Sequence, residues 1–333
     1  MIRNSSIDQH ICPAIAPRIA AVLLQLPSAV RETLTEIRLR VNLPLMVSTG
    51  VSDNMVTEAG TFAVTSRQAF TITQTDLLKT LQMISKNSLY ALENEIRAGF
   101  VTIAGGHRVG LAGQALVENG QVKSLKNISS INIRIARQII GCADQLIPWL
   151  INPKGHIYNT LIVSPPRCGK TTVIRDIARQ LSSGIKELNV KGMQVGIVDE
   201  RSEIAACQFG VPSMDLGDRI DILDSCPKAT GMLMLIRSMA PQVIITDELG
   251  REEDALAVEE AVHAGVSVIA TAHGHSIADI KKRPCIKKLI EEECFERYVT
   301  LSSIPSMGSM MTVSATNGQL LYSHPEYEVR PCG

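Results

Sequence analysis

The residues whose types and spacing most clearly suggest chemistry are Gly169, Lys170 and Thr171. They belong to the stretch Ser164-Pro165-Pro166-Arg167-Cys168-Gly169-Lys170-Thr171-Thr172, which fits the phosphate-binding pattern G-x-x-x-x-G-K-[ST] with a serine in place of the first glycine. In this pattern backbone N–H groups surround phosphate oxygens, the lysine adds positive charge, and the hydroxyl is a Mg²⁺ ligand. We therefore predict that this loop binds a nucleotide such as ATP, and that Thr171 holds its Mg²⁺.

Such a loop must be positioned by a strand before it and a helix after it. Residues 160–163 form an apolar, β-rich run, and the stretch 171–181 carries apolar residues at helical spacing. The positive end of that helix would point at the same phosphate. A chance Gly-Lys-Thr run is common, and the strand–loop–helix context is what favours the phosphate-binding interpretation.

A second apolar strand, predicted over 243–246, ends in Asp247 and Glu248. An acid at a strand end near a phosphate-binding loop holds the Mg²⁺ shell in many nucleotide hydrolases. We predict that Asp247 has this role and that Glu248 is the general base for water. The alternative is a strand that simply ends in acidic residues.

The strand predicted over 195–198 ends in a similar way, in Asp199-Glu200-Arg201-Ser202-Glu203. The carboxyl ends of parallel strands meet at one edge of a sheet, so these acids would approach the same crevice. Glu200 and Glu203 are the favoured catalytic candidates. Ser202 and Glu203 are equally compatible with the first turn of a helix.

His273 follows a further apolar strand, predicted over 266–270. Its strand-end position favours a role in sensing the terminal phosphate of the nucleotide. His275 lies two residues on, but a metal site is poorly supported without a third nearby ligand. Structural packing is the remaining alternative.

Composition bounds the class of protein. The 333 residues carry 33 acidic and 33 basic side chains, and only 3% are aromatic. Balanced charge and few aromatic rings argue against direct binding of nucleic acid. The eight cysteines include no C-x-x-C pair, which is typical of a reducing compartment. With neither a signal-peptide pattern nor a long apolar run, we expect a cytoplasmic protein that is at most peripheral at a membrane.

The chain divides by pattern into three parts. Residues 1–140 are predicted to form a smaller mixed α+β domain, with helices over 74–85 and 89–98 and an alternating edge strand over 36–41. Residues 141–154 interrupt the periodicity and are predicted to be a linker. Residues 155–333 alternate apolar strands with helical segments, which predicts an α/β nucleotide-binding core with a mainly parallel sheet.

The order of these motifs resembles that of the type II and type IV secretion ATPases, which are ring-forming RecA-like motors. The whole chain is similar to the stage III sporulation AA family of endospore-forming bacteria. The stretches that carry this similarity include Gly105-Gly106-His107-Arg108-Val109-Gly110, the phosphate-binding loop, Val198–Glu203 and Cys226-Pro227-Lys228.

This resemblance implies a RecA-like P-loop ATPase and a homo-oligomer, with a hexamer expected. It also implies an inner-membrane platform protein as partner, and a place on the mother-cell side of the forespore membrane as part of a secretion-like channel. In the secretion ATPases the N-terminal domain supplies arginines to the neighbouring subunit's nucleotide. By that analogy the candidates are Arg38, Arg40, Arg108 and Arg134, with Arg219, Arg237 and Arg251 as alternatives in the core. Arg167 stands where the family commonly has glycine.

Three functions are compatible with these patterns. The first is an ATP-hydrolysing ring motor for a membrane-associated export apparatus. The second is a nucleic-acid-dependent translocase, which would show DNA-stimulated turnover with steep salt dependence. The third is a nucleotide-gated scaffold with little turnover, against which the pair Asp247 and Glu248 argues.

Overall fold

The computed structural model describes residues 7–50, 52–85, 99–118, 120–208, 210–303 and 308–325. The chain divides into two compact units, Met1–Ala136 and Arg137–Gly333. The helix predicted over 89–98 lies outside the described residues.

The first unit combines helices with one antiparallel sheet. Its α-helices are α1 (Pro17–Gln25), α2 (Ser28–Thr33) and α3 (Gln74–Ile84), with a π-helix at Ile7–Ile11 and 3₁₀ turns at Cys12–Ala14, Ser66–Gln68 and Ala104–Gly106. Its strands are β1 (Glu36–Arg40), β2 (Met46–Ser48), β3 (Asp53–Val56), β4 (Phe62–Ala63), β5 (Phe100–Ile103), β6 (His107–Glu118) and β7 (Gln121–Arg134). A capping box formed by Thr73 and Asp76 fixes the start of α3.

The strand order β4-β3-β2-β1-β7-β6-β5 makes β1 an internal strand. Its residues alternate between buried Ile37 and Leu39 and the half-buried Arg38 and Arg40 on the other face. The expectation of an edge strand is therefore wrong, because β2 and β7 pair with β1 on its two sides. Alternation reports which face is buried and carries no information about sheet neighbours.

The second unit contains one large sheet flanked by helices. Its strands are β8 (Thr160–Ser164), β9 (Val195–Asp199), β10 (Ile220–Asp224), β11 (Val243–Thr246), β12 (Ser267–His273), β13 (Arg297–Ser302), β14 (Ser309–Ala315) and β15 (Leu320–Ser323). Its α-helices are α4 (Ile147–Leu150), α5 (Lys170–Ser183), α6 (Lys228–Met239), α7 (Glu252–His263), α8 (Ile277–Ile280) and α9 (Pro284–Glu291), with a 3₁₀ turn at Lys186–Leu188.

This sheet has the order β10-β9-β11-β12-β8-β13-β14-β15. In this order the first six strands, β10, β9, β11, β12, β8 and β13, are parallel to one another. Strands β14 and β15 are antiparallel to their neighbours and form one edge of the sheet. The four parallel strands predicted from apolar runs are all present. Because they are buried on both faces, their sequences are almost continuously apolar.

Two apolar clusters cover the two faces of the parallel sheet. One face buries Ile162, Ile197 and Ile245 beneath α5, and the other buries Leu161 and Ile244. The segment predicted as a linker, 141–154, lies in this second unit and contributes buried residues to the first of these clusters. These residues are Ala143, Leu146, Ile147 and Leu150.

Candidate nucleotide-binding site

The phosphate-binding loop connects the buried strand β8 to the first turn of α5. Arg167 and Gly169 both have left-handed backbone conformations, with φ of 62° and 84°. Glycine adopts this conformation without strain, whereas arginine does not. The two residues turn the chain so that α5 begins directly at Lys170.

Two residues of the loop have no backbone N–H to offer a phosphate. Pro165 and Pro166 lack this donor, so any backbone cradle must come from the part of the loop that follows them. The first N–H groups of a helix have no acceptor within the helix, and they carry the positive end of its dipole. Anion binding at this loop therefore depends on the stretch from Arg167 to Thr172, where the chain enters α5.

The Lys170 side chain folds back over the loop and is 7% exposed. Its Nζ donates to the Ser164 carbonyl oxygen at 2.9 Å, to Ser164 Oγ at 3.1 Å and to the Pro165 carbonyl oxygen at 2.9 Å. Burial lowers the pKa of this ammonium group. Lys170 is thus a desolvated cation held by neutral acceptors that a phosphate could replace.

His273 joins the loop lysine to the acid at the end of β11. Its Nδ1 lies 2.8 Å from Lys170 Nζ, and its Nε2 lies 3.2 Å from Glu248 Oε1. A neutral imidazole with its proton on Nε2 satisfies both contacts, accepting from the lysine and donating to the carboxylate. The strand order explains this chain of contacts, because β12 lies between β8 and β11.

Glu248 follows β11 in a strained backbone conformation, with φ of 26°. Its N–H donates to Thr271 Oγ1 at 2.8 Å, and its Oε2 accepts from Arg201 Nη1 at 3.2 Å. Strained residues of this kind persist where the surroundings fix them, and they are concentrated at functional sites. Thr271 therefore holds the backbone of Glu248, while Arg201 and His273 orient its partly exposed carboxylate.

Asp247 is buried, with 6% exposure, and its Oδ1 has no hydrogen-bond partner among the described residues. Burial raises its pKa to about 6, and the negative charges of Asp199 and Glu203 act in the same direction. A buried carboxylate oxygen without a hydrogen-bond donor is suited to act as a ligand of a cation. The described part of the chain holds no group of three or more His, Cys, Asp or Glu side chains able to cage a metal ion. Mg²⁺ suits this sparse arrangement, because it keeps several waters and phosphate oxygens as ligands.

Asp199, the last residue of β9, holds the loop that follows the strand. The Asp199 carboxylate is fully buried and accepts from the backbone N–H groups of Glu203, Ile204 and Ala205, at 2.8, 2.9 and 2.8 Å. Burial raises its pKa, although these three N–H groups favour the ionised form. The carboxylate of Asp199 thus stabilises the loop that carries Glu203.

Arg175 holds the same loop from the side of α5. Its Nε donates to the Ile204 carbonyl oxygen at 2.6 Å and its Nη2 to the Glu203 carbonyl oxygen at 2.7 Å. A third bond, from Nη1, reaches the Arg137 carbonyl oxygen at 2.8 Å. The sequence pattern did not predict a role for Arg175, because an arginine near the start of a helix usually remains exposed at the surface.

Glu200 contacts a buried lysine, Lys228, for which the sequence pattern predicted no role. Lys228 Nζ forms an ion pair with Glu200 Oε2 and lies 3.7 Å from Asp247 Oδ1. The structure therefore places Glu200, Lys228 and Asp247 together. Glu203 is near enough to raise the pKa of Asp247 through its charge. The only signal in the sequence was a lysine at a helix start, where a positive charge is unfavourable.

The arginines proposed to act between subunits have different surroundings. In the core, the Arg219 guanidinium donates to the Ser182 carbonyl oxygen, Arg237 is exposed near Glu260, and Arg251 precedes α7. In the first unit, Arg38 and Arg134 both pair with Glu36. The remaining candidates are Arg40, whose Nη1 faces Met46 Sδ, and Arg108, which stacks over Phe100 at 3.5 Å.

Comparison with known proteins gives a consistent result. A family model described as "Sporulation stage III, protein AA" matches residues 6–321. Stage III sporulation protein AA of Bacillus subtilis is 46% identical over 90% of this chain and 92% of its own length.

Two solved structures share the fold of this chain. The pilus retraction motor PilT, solved with bound ADP, has a TM-score of 0.54 at 15% identity, covering 90% of this chain and 82% of its own. The ATPase DotB of Legionella pneumophila has a TM-score of 0.53 at 14% identity, covering 80% and 72%. These likenesses confirm the predicted fold class. No helix within the described ranges is long and apolar enough to cross a membrane.

Proposed function

This chain belongs to the sporulation stage III protein AA family, and on that basis we propose that it is an ATP-hydrolysing motor of a secretion-like apparatus. The observation that carries the proposal is the continuous contact from Lys170 through His273 to Glu248. It links the group that would meet the terminal phosphates to the group that would activate water.

ATP binding would change the hydrogen bonding of Lys170. Its present acceptors are two carbonyl oxygens, a hydroxyl and an imidazole, and an ionised phosphate is a stronger acceptor than any of them. When Lys170 turns to phosphate, His273 Nδ1 loses its donor. His273 then reports the state of the loop to Glu248, which is the role of a phosphate sensor.

Glu248 is the general base of this proposal. Its side chain is 33% exposed, so water can reach the carboxylate, and Arg201 and His273 fix its direction. A positioned base contributes about 10²–10⁴ to a rate. Glu200 is less suited to this role, because its carboxylate is already paired with Lys228.

Thr171 and Asp247 are the residues that would hold Mg²⁺. The hydroxyl of Thr171 is at the second position of α5, and Asp247 Oδ1 is an oxygen that lacks a hydrogen-bond donor among the described residues. When bound, the ion would neutralise the charge that develops on the phosphate oxygens.

Oligomer formation and partners follow from the same proposal. We propose a homo-oligomer, with a hexamer as the expected ring, peripheral at a membrane through an inner-membrane platform protein on the mother-cell side. Arg38, Arg40, Arg108 and Arg134 share one face of the first sheet, by strand alternation and cross-strand pairing. They are candidates for supplying positive charge to a neighbouring subunit's nucleotide, which is worth about 10³–10⁵ in rate where it occurs.

The test is ATPase activity per subunit as a function of protein concentration, for wild type and Glu248→Gln in parallel. We expect wild-type activity to rise with concentration, because a site completed between subunits needs the oligomer. We expect Glu248→Gln to lose at least about 100-fold in turnover while still binding ATP, since only the base is removed. Glu252→Gln, an exposed acid in the first turn of α7, is the matched control.

The outcomes separate the three candidate functions. Full turnover in Glu248→Gln would remove Glu248 from the mechanism. ATP binding without turnover at any concentration, with or without the membrane partner, would indicate a nucleotide-gated scaffold. Turnover that requires DNA and falls steeply with salt would indicate a nucleic-acid translocase.

A further inference from the structure

Lys228 is a buried cation among the acids of the candidate site. It is 6% exposed and is the first residue of α6. Its ammonium group is paired with Glu200 and lies 3.7 Å from Asp247 Oδ1. The loop chemistry described above gives it no role.

Two physical costs oppose a lysine at this position. A charge is unfavourable away from water unless it is paired, and a positive charge is unfavourable at the positive end of a helix. Among the residues that the structure describes, the carboxylates of Glu200 and Asp247 offset these costs. The lysine and the acids therefore stabilise one another, and a change in either alters the other.

The two acids do not hold Lys228 equally. Glu200 is in direct contact with the ammonium group, whereas the distance to Asp247 is beyond that of a hydrogen bond. Lys228 thus balances the charge of Asp247 without occupying its free oxygen. That oxygen has no hydrogen-bond partner among the described residues and remains available as a ligand.

We propose that Lys228 is a tethered cation that competes with the divalent metal ion for Asp247, and that Glu200 restrains it from occupying the metal's position. The inference rests on the proposed function, since that metal ion is the Mg²⁺ that accompanies ATP. Glu200 is then a positioning residue that acts through Lys228. In the absence of metal, Lys228 also limits the repulsion between Asp247 and the phosphates of an incoming nucleotide.

The experiment is a titration of nucleotide-free full-length protein with Mn²⁺, a spectroscopic substitute for Mg²⁺, followed by the loss of the free Mn²⁺ signal in electron paramagnetic resonance. For Lys228→Met we expect Mn²⁺ to bind at least about tenfold more tightly, because a unit charge a few ångströms from a divalent ion repels it strongly in a partly buried site. For Glu200→Gln we expect weaker binding, because the released lysine moves toward Asp247.

The double variant decides how Glu200 acts. If Glu200 acts only through Lys228, Glu200→Gln has no effect on Mn²⁺ affinity once Lys228→Met is present. If Glu200→Gln weakens binding equally in both backgrounds, Glu200 is itself a ligand and the proposal is overturned. Unchanged or weaker Mn²⁺ binding by Lys228→Met also overturns it, as does an absence of Mn²⁺ binding in every variant.

Two controls keep the test decisive. Lys287→Met removes an exposed lysine that is paired with Glu291 on α9, and it is expected to leave Mn²⁺ affinity unchanged. Lys228→Gln keeps a hydrogen-bond donor for Glu200 and repeats the measurement if circular dichroism shows that Lys228→Met is unfolded. A fluorescent ADP analogue measures nucleotide binding separately. Failure of wild type to bind it would overturn the proposed function, while the Mn²⁺ comparison would still decide the role of Lys228.

Discussion

Strands β9 and β11 lie side by side, and acidic residues stand at the end of β9 and directly after β11, but these acids have different partners. At the end of β9, the first acid, Asp199, accepts hydrogen bonds from three backbone N–H groups of the loop that follows. After β11, the first acid, Asp247, is also buried but has an oxygen without a hydrogen-bond donor among the described residues. The carboxylate of Asp199 therefore stabilises a loop, whereas the carboxylate of Asp247 keeps an oxygen available to bind a ligand.

The path of the chain after each strand produces this difference. After β9 the chain turns back through Ser202, which has φ of 53°, so that the next N–H groups point at Asp199. After β11 the turn occurs at Glu248, whose N–H is taken by Thr271. Similar acidic sequences therefore have different chemistry because the backbone donors that follow them point in different directions.

The largest effect should come from Asp247→Asn. An amide is a poorer Mg²⁺ ligand than a carboxylate, so we expect ATP turnover to fall at least about 100-fold, in the range found when a single transition-state contact is lost. The free energy of unfolding should not decrease, since a buried charge has been removed. Steady-state kinetics and urea unfolding check the two parts. Loss of stability without loss of turnover would mean that this end of the sheet is structural too.

Asp199→Asn should have the opposite profile. One carboxylate oxygen becomes an NH₂ group that faces N–H donors, so at least one backbone donor loses its acceptor. We expect a destabilisation of about 2–3 kcal/mol, measured by urea unfolding. Residual turnover of the folded fraction should exceed that of Asp247→Asn. A stable but inactive Asp199→Asn would show that Asp199 contacts the reacting groups and that the comparison is wrong.

Features of the fold and of the site could be predicted where the residues involved are close together in the sequence, and could not be predicted where they are far apart. The loop around Lys170 and the parallel strands follow from local patterns, because a motif of nine residues and a run of buried apolar residues are contained in short windows. The contact between Lys170 and Glu248 through His273 depends on β12 lying between β8 and β11, and strand order is not a local property.

The roles of Arg175 and Lys228 show the same limit. Arg175 lies 28, 29 and 38 positions from the three carbonyl groups that it binds, and Lys228 lies 28 positions from Glu200. Each has a residue type that usually remains exposed at the surface, so sequence gives no reason to select it. The edge position expected for β1 was wrong for a related reason, since its partner β7 is far along the chain.

A pH dependence sharpens the comparison in the metal-free protein. The folded-state pKa of Asp247 is raised from 3.8 to about 6, so its contribution to stability is present at low pH and is lost as the pH rises through about 6. Between pH 4.5 and pH 7.5 we expect the free energy of unfolding of Asp247→Asn to rise by about 2 kcal/mol relative to that of wild type, since one pKa unit corresponds to about 1.4 kcal/mol. Urea unfolding in the presence of EDTA measures this. If the difference in unfolding free energy between the two proteins is constant across the pH range, the pKa of Asp247 is not raised, and a donor or a cation stabilises its ionised form in solution.

The smallest effect is expected at the loop itself, from Arg167→Gly. The left-handed backbone of Arg167 costs about 1 kcal/mol, which glycine relieves, but glycine also gains entropy in the unfolded chain. The net change in unfolding free energy should therefore stay within about 1 kcal/mol, and ADP affinity should change little.

Arg167→Ala keeps the backbone strain and removes the guanidinium group, so it separates the two contributions. If both variants lose ADP affinity by about tenfold or more, the guanidinium group itself contacts the nucleotide, because a charge-assisted bond to phosphate is worth about that much. The loop would then resemble the end of β11, where a side chain is held ready for a ligand, more than the end of β9, where the side chain serves the backbone.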